Sequence, residues 1–302
     1  MKALVTGATG FVGGRLADAL AADGAEVRCL VRDRSRAASL ERRGHDLHEG
    51  DALDERSLRG AGEGADVAYY LIHSMGGEGD FSESDRAAAR NFARMAAREG
   101  IGQVVYLGGL GEPTSKHLRS RHETARTLAA EGPPLTYFRA GMVVGAGSDS
   151  FRTLYHLVDR LPVMIAPAWL RTRTQPIGID DVLAYLRAAP HTTGSAGREV
   201  QIGGQDVLTY GDMLGVVARE LGRREPPMLP VPLLSPALSS LWIGLVTPVD
   251  TDVARPLVEG LSTETVVSDP SGAALFDVDP LPFAEAVRRA LRERDAEPAA
   301  AS

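Results

Sequence analysis

A chain of 302 residues with 44% hydrophobic content has room for one large α/β unit, or one domain with an appendage, around an ordinary core. Its 40 acidic and 33 basic residues give a formal charge of −7, which argues against a nucleic-acid-binding surface, where clustered positive charge is needed. One cysteine, Cys29, excludes an intramolecular disulfide framework and a cysteine-based metal cluster, and seven scattered histidines offer no ligand set, so no metal is expected.

The first residues, MKALVTGATG, reach glycine after a short apolar run, too brief for the core of a secretory signal, and a cytoplasmic protein is expected. Up to about residue 145, short β-branched runs alternate with helical stretches. Strands are predicted at 2–6, 26–31, 46–49, 67–72, 103–107 and 135–139. Between them Val12, Leu16 and Leu20 share one helical face, with Gly24 placed as a C-terminal cap. Residues 86–98 set Phe92 and Met95 opposite a row of arginines, as a helix covering a sheet should. This alternation implies a doubly wound, Rossmann-type parallel sheet coated on both faces, with ligands at the carboxyl ends of its strands.

After residue 145 the rhythm breaks. Strands at 175–179 and 199–202, with a helix at 180–189 between them, are expected to return to the sheet. The division read from this is a nucleotide-binding domain over 1–146, joined again by 174–204. A smaller, mostly helical substrate-binding portion covers 147–173 and 205–295, and a disordered tail covers 296–302. Residues 230–249 are uncharged but interrupted by Pro232 and Pro236 and closed by Pro248, so no uninterrupted stretch approaches the ~20 residues a bilayer span needs. The overlapping segment 228–248 is read as the roof of an apolar substrate pocket, and a second copy of the chain is a candidate partner.

Thr6-Gly7-Ala8-Thr9-Gly10-Phe11-Val12-Gly13 directly follows a strand and opens a helix, the context a phosphate-binding turn requires. Gly7 permits the tight turn and Gly10 admits a pyrophosphate to the backbone. Gly13 lets helix and strand pack closely, and the helix N-terminus offers N–H donors from the Thr9, Phe11, Val12 and Gly13 region. An NAD site places an acid at the end of the second strand, but CLVRDRSR puts Arg32 there first and Asp33 second. Arg32, helped by Arg15, would pair with a 2′-phosphate, which favours NADP over NAD; Arg34 and Arg36 are read as solvated. Asp51 and Ala52, after the third strand, are candidates to touch the adenine, with a turn cap as the alternative for Asp51.

TGATGFVG, GDALD, DVAYYLIHSM, VVYLGGLG and FRAGMVVG, in this order, resemble the NmrA-like branch of the extended and atypical short-chain dehydrogenase/reductases. TQPIGIDDVLAYL and EVQIGGQDVLTYGDML extend the resemblance over nearly the whole chain. It implies a Rossmann-type fold, a nicotinamide dinucleotide and a site that includes Arg139. In that family serine, tyrosine and lysine normally carry the chemistry. Here only Lys2 and Lys116 are lysines among the 33 basic residues, and no tyrosine has a lysine four residues on. The segment matching the tyrosine–lysine pair reads His117-Leu118-Arg119-Ser120-Arg121, and the serine position falls in Gly108-Gly109. Two readings stand. In one, Arg121 holds the ribose hydroxyls, and His117, or His73 with Ser74, donates the proton in NADP-dependent reduction or oxidation of a small apolar carbonyl or alcohol. In the other, the chain binds NADP(H) without hydride transfer and serves as a redox-sensing regulator. A sugar-nucleotide epimerase is disfavoured by the missing tyrosine–lysine pair.

Overall fold

The computed structural model describes residues 1–72, 81–113, 115–161, 164–166, 168–225, 227–230 and 262–296. Seven strands form one sheet: β1 (Lys2–Thr6), β2 (Glu26–Val31), β3 (Asp46–Glu49), β4 (Val67–Tyr70), β5 (Gln103–Gly109), β6 (Leu135–Ala140) and, from the second half of the chain, Glu199–Ile202, which is β11. Their order is β11-β6-β5-β4-β1-β2-β3, and every pairing is parallel. All four residues of β4 and the last four of β1 are buried, because helices cover both faces and leave no polar side for alternation. The order runs outward in both directions from the β1–β4 pair, so a crevice opens at that point, beyond the carboxyl ends of the strands.

The Thr6 hydroxyl closes that junction. It donates to the Tyr69 carbonyl at 3.1 Å and accepts the Leu71 N–H at 2.9 Å. Because Leu71 spends its N–H on a side chain, β4 stops at Tyr70, short of the expected residue 72.

One face of the sheet is covered by α1 (Phe11–Ala22) and α6 (Ile179–Ala188), which bury Leu16, Leu20, Val182 and Leu186 against Val5 and Phe138. The other face carries α3 (Phe81–Arg98) and α4 (Lys116–Glu131), whose Phe92, Met95 and Leu128 pack on Tyr70, Tyr106 and Tyr137. A short α2 (Ala38–Arg42) follows β2. A second core lies outside the sheet, among α5 (Asp149–Arg160), α7 (Tyr210–Glu220) and α8 (Phe283–Ala296), where Phe151, Leu154, Met213, Leu214, Phe283 and Val287 meet.

The expected strand at 175–179 is broken. Pro176 has no N–H for a ladder, and Gln175 gives its own N–H to the Thr265 carbonyl. Two short pieces replace it: β9 (Arg173–Thr174), antiparallel to β12 (Leu208–Thr209), and β10 (Ile177–Gly178), parallel to β7 (Val143–Val144). A further short pair joins β8 (Met164–Ala166) to β13 (Met228–Pro230). At the C-terminus α8 runs to Ala296, one residue into the tail expected to be disordered, while 297–302 lie outside the described residues. Among the described residues no helix is long and apolar enough to cross a membrane.

Candidate functional site

The turn after β1 is shaped by close approaches of backbone. Gly7 has φ +66°, and a Cβ there would lie 2.5 Å from the Leu71 carbonyl oxygen. A Cβ at Gly13 would lie 2.2 Å from the Gly7 carbonyl oxygen, so the first turn of α1 rests directly on the turn's own backbone. Gly10 differs: its nearest neighbour would be 3.2 Å away, and it faces the opening. No side chain caps α1 and no acid sits in its first turn, so its first N–H groups and its positive dipole end are presented to whatever enters. The Phe11 ring fills the space left by Gly145 and Gly147, where a Cβ would lie 2.6 and 2.9 Å from it. The half-buried Val12 packs against the core beneath α1.

A cleft of about 400 Å³ opens at this helix terminus, between α1 and the segment after β2. Thr9, Gly10, Phe11 and Arg15 of the expected residues line it, together with Arg36, Arg43 and Glu293. Arg32 is exposed just past β2 but is not part of this lining. Arg36, exposed as the sequence suggests, lies in a 3₁₀ turn over Ser35–Ala37 and also lines the cleft. Neither Arg32 nor Arg36 has an ion pair among the described residues, whereas Arg34 is paired to Glu41 at 2.7 Å. Asp33 closes the turn: its carboxylate accepts the Ser35 N–H at 2.9 Å and hydroxyl at 2.6 Å, which holds its pKa below the usual carboxylate range. Arg15 is held by Glu293, and its guanidinium lies 4.6 Å over the Phe11 ring. Asp51 caps its own turn, accepting the Leu53 N–H at 2.9 Å, and the carbonyl of the buried Ala52 accepts from Asn91 at 3.0 Å.

At the carboxyl end of β5 the family's serine position is closed by packing. A Cβ at Gly108 would lie 2.7 Å from the Tyr137 ring, and one at Gly109 would lie 2.6 Å from Leu118 Cδ2. Tyr137 stacks on Tyr106 at 5.2 Å between ring centroids, and burial pushes the Tyr137 phenol up to about 12. The Tyr137 hydroxyl and His122 Nε2 are buried with no hydrogen-bond partner among the described residues.

On α4, whose N-terminus is capped by Ser115, His117 and Arg121 meet one turn apart. Arg121 donates from Nε to His117 Nε2 at 2.9 Å, so the imidazole is neutral and carries its proton on Nδ1. Burial, and then the Arg121 charge, push the His117 pKa down to about 4. A proton-donating imidazolium is therefore disfavoured at neutral pH, contrary to the role expected for His117. Arg139 donates to the Gly109 and Gly111 carbonyls and pairs with Glu199 at 2.7 Å, bracing the strand ends. His73 and Ser74, and residues 231–248 of the expected pocket roof, lie outside the described residues.

Comparison with known proteins agrees with this architecture. The sterol demethylase protein B of Methylococcus capsulatus is 33% identical over 115 residues, covering 37% of this chain and 35% of that protein, so the match spans about a third of the relative. The ceramide reductase of Caulobacter vibrioides is 28% identical, covering 80% of this chain and 78% of its own. The triphenylmethane reductase of Citrobacter sp., solved with NADP(H), superposes with a TM-score of 0.77 at 17% identity, over 96% of this chain and all of that one, which shows the shared fold. The model of the NmrA-like family matches residues 1–165, more than half of the sequence, and with the glycine turn, the parallel sheet and the arginine-lined cleft in place, the chain belongs to that family of NAD(P)-binding proteins.

Proposed function

We propose that the protein is an NADP(H)-dependent oxidoreductase acting on a small carbonyl or alcohol. The observation that carries this reading is the cleft at the N-terminus of α1, where Gly10 leaves the backbone bare and Arg15, Arg36 and Arg43 surround an uncapped helix end. The opening that Gly10 faces suits a pyrophosphate, and the surrounding N–H and guanidinium donors favour an anion. Arg36, joined by the exposed Arg32, would hold a 2′-phosphate. Arg32 precedes Asp33 at the end of β2, and Asp33 Oδ1 already accepts from the Ser35 N–H and hydroxyl, which supports NADP over NAD. When bound, the dinucleotide supplies the hydride or accepts it.

Arg121 would neutralise charge at the reacting end, through the terminal guanidinium nitrogens that His117 leaves open. His117 is then a positioning residue, fixing the guanidinium by accepting from its Nε. The remaining candidates for the proton are His73 with Ser74, or solvent. The apolar character of the substrate rests on the composition of 228–248, and the reductase names of relatives support the reaction class. Following NADPH absorbance against a panel of aldehydes, ketones and quinones tests the proposal: substrate-dependent oxidation with NADPH preferred over NADH supports it. Tight NADPH binding without turnover on any substrate would replace it with the binding-only regulator.

A further inference from the structure

The nucleotide cleft contains a carboxylate that its glycine turn does not require. Glu293 arrives from α8, at the far end of the chain, and pairs with Arg15 on the cleft wall. The helix that delivers it is anchored to the other half of the molecule. It buries Phe283, Val287 and Leu291 in the second core, Arg289 reaches Asp180 of α6 at 2.9 Å, and Arg288 reaches Glu220 of α7 at 3.1 Å. Arg294, next to Glu293, lies 4.0 Å over the Tyr155 ring of α5. Glu293 is thus presented by a braced helix, and both partners keep partial solvent access, with side-chain exposures of 27% for Arg15 and 39% for Glu293.

The charge balance of the cleft gives this contact a consequence. Of its three arginines, Arg15 is held by Glu293 and Arg43 by Asp18, leaving Arg36 without an ion pair among the described residues. A phosphate group entering here meets the helix N-terminus and Arg36 directly, but must share or break the Arg15 pair and then sit near the Glu293 carboxylate. A half-exposed ion pair is weak enough for a phosphate to displace, and strong enough to register in the affinity.

We propose that Glu293 sets the affinity of the cleft for phosphate-bearing nucleotides by holding Arg15, so that dinucleotide binding transfers Arg15 from the carboxylate of α8 to the ligand. The proposal rests on the reading of the cleft as a dinucleotide site. It makes α8 the physical link between that cleft and the α5–α7 portion of the molecule.

Equilibrium fluorescence titration with NADPH and NADH, on wild type, Glu293→Gln, Arg15→Gln and the double variant, tests it. Glu293→Gln is expected to tighten NADPH binding by about threefold, Arg15→Gln to weaken it, and the Glu293→Gln gain to vanish in the Arg15→Gln background. That non-additivity is a readout that a merely structural role for Glu293 would not produce. A gain confined to NADPH assigns Arg15 to the 2′-phosphate, and an equal gain for NADH assigns it to the pyrophosphate. Unchanged or weaker NADPH binding in Glu293→Gln, with a wild-type melting profile, overturns the latch and leaves the cofactor reading intact. Failure of wild type to bind either dinucleotide overturns both.

Discussion

At the carboxyl end of β1 the site is made of absences: Gly7 and Gly13 lack a Cβ where one would collide with carbonyl oxygens 2.5 and 2.2 Å away, and Gly10 faces an open cleft. At the carboxyl end of β5 two glycines stand side by side again, but the space they leave is filled from within by the Tyr137 ring and Leu118. The same residue type serves ligand access in one place and aromatic packing in the other. What separates them is the neighbour: a helix terminus with unused N–H groups beside β1, a buried pair of stacked tyrosines beside β5. The nucleotide end therefore keeps the family's glycine turn, while at the end of β5 the serine position is Gly108-Gly109 and the tyrosine–lysine segment carries His117 and Arg121.

The sharpest way to break this contrast is at Gly10. A leucine there should cost more than about 100-fold in dinucleotide affinity by isothermal titration, because its side chain occupies the phosphate position, while the fold survives. Wild-type affinity would detach the turn from the site. Arg36→Ala should weaken NADPH by about 2 kcal/mol, roughly 30-fold, and leave NADH within about twofold, since a charge-assisted contact to one phosphate is lost. Equal loss for both cofactors would move Arg36 to the pyrophosphate.

At the other end, Gly108→Ser, which restores a family-like serine, should lower stability by about 1–3 kcal/mol in urea denaturation rather than raise activity, because the buried Tyr137 ring cannot yield. The smallest effect concerns His117. Its folded pKa, about 4, lies below the ~6.5 of the unfolded chain, so between these values the unfolded state binds the extra proton and stability falls as pH falls. Relative to His117→Asn, the wild type should lose more stability between pH 7 and pH 4. Parallel pH curves for the two proteins would show that the imidazole is solvated.

The nucleotide half was legible because its requirements are local. A strand, three glycines and a helix face fall within twenty residues, and their periodicity and spacing are properties of the chain itself. Arg36 escaped because its placement depends on a 3₁₀ turn that Asp33 and Ser35 organise. Glu293 could not be found from sequence at all, since 278 residues separate it from Arg15 and only the packing of α8 joins them. The i, i+4 spacing of His117 and Arg121 sets them on one helix face, but does not give the direction of their hydrogen bond, which decides whether the imidazole can donate. The 175–179 strand failed for a reason visible in the sequence, Pro176, once the partner claiming the Gln175 N–H was known.

In the proposed reading, Arg121 serves the reacting end and His117 serves Arg121. Single-turnover hydride transfer from NADPH, measured by stopped flow for wild type, His117→Gln and Arg121→Met across pH 5.5–8.5, tests it most directly. A loss of at least about 100-fold is expected in Arg121→Met, and a loss within about tenfold in His117→Gln, with the pH profile unchanged in shape. A drop of about 10²–10⁴ in His117→Gln together with loss of one limb of the profile would contradict it and return His117 to the role of proton donor.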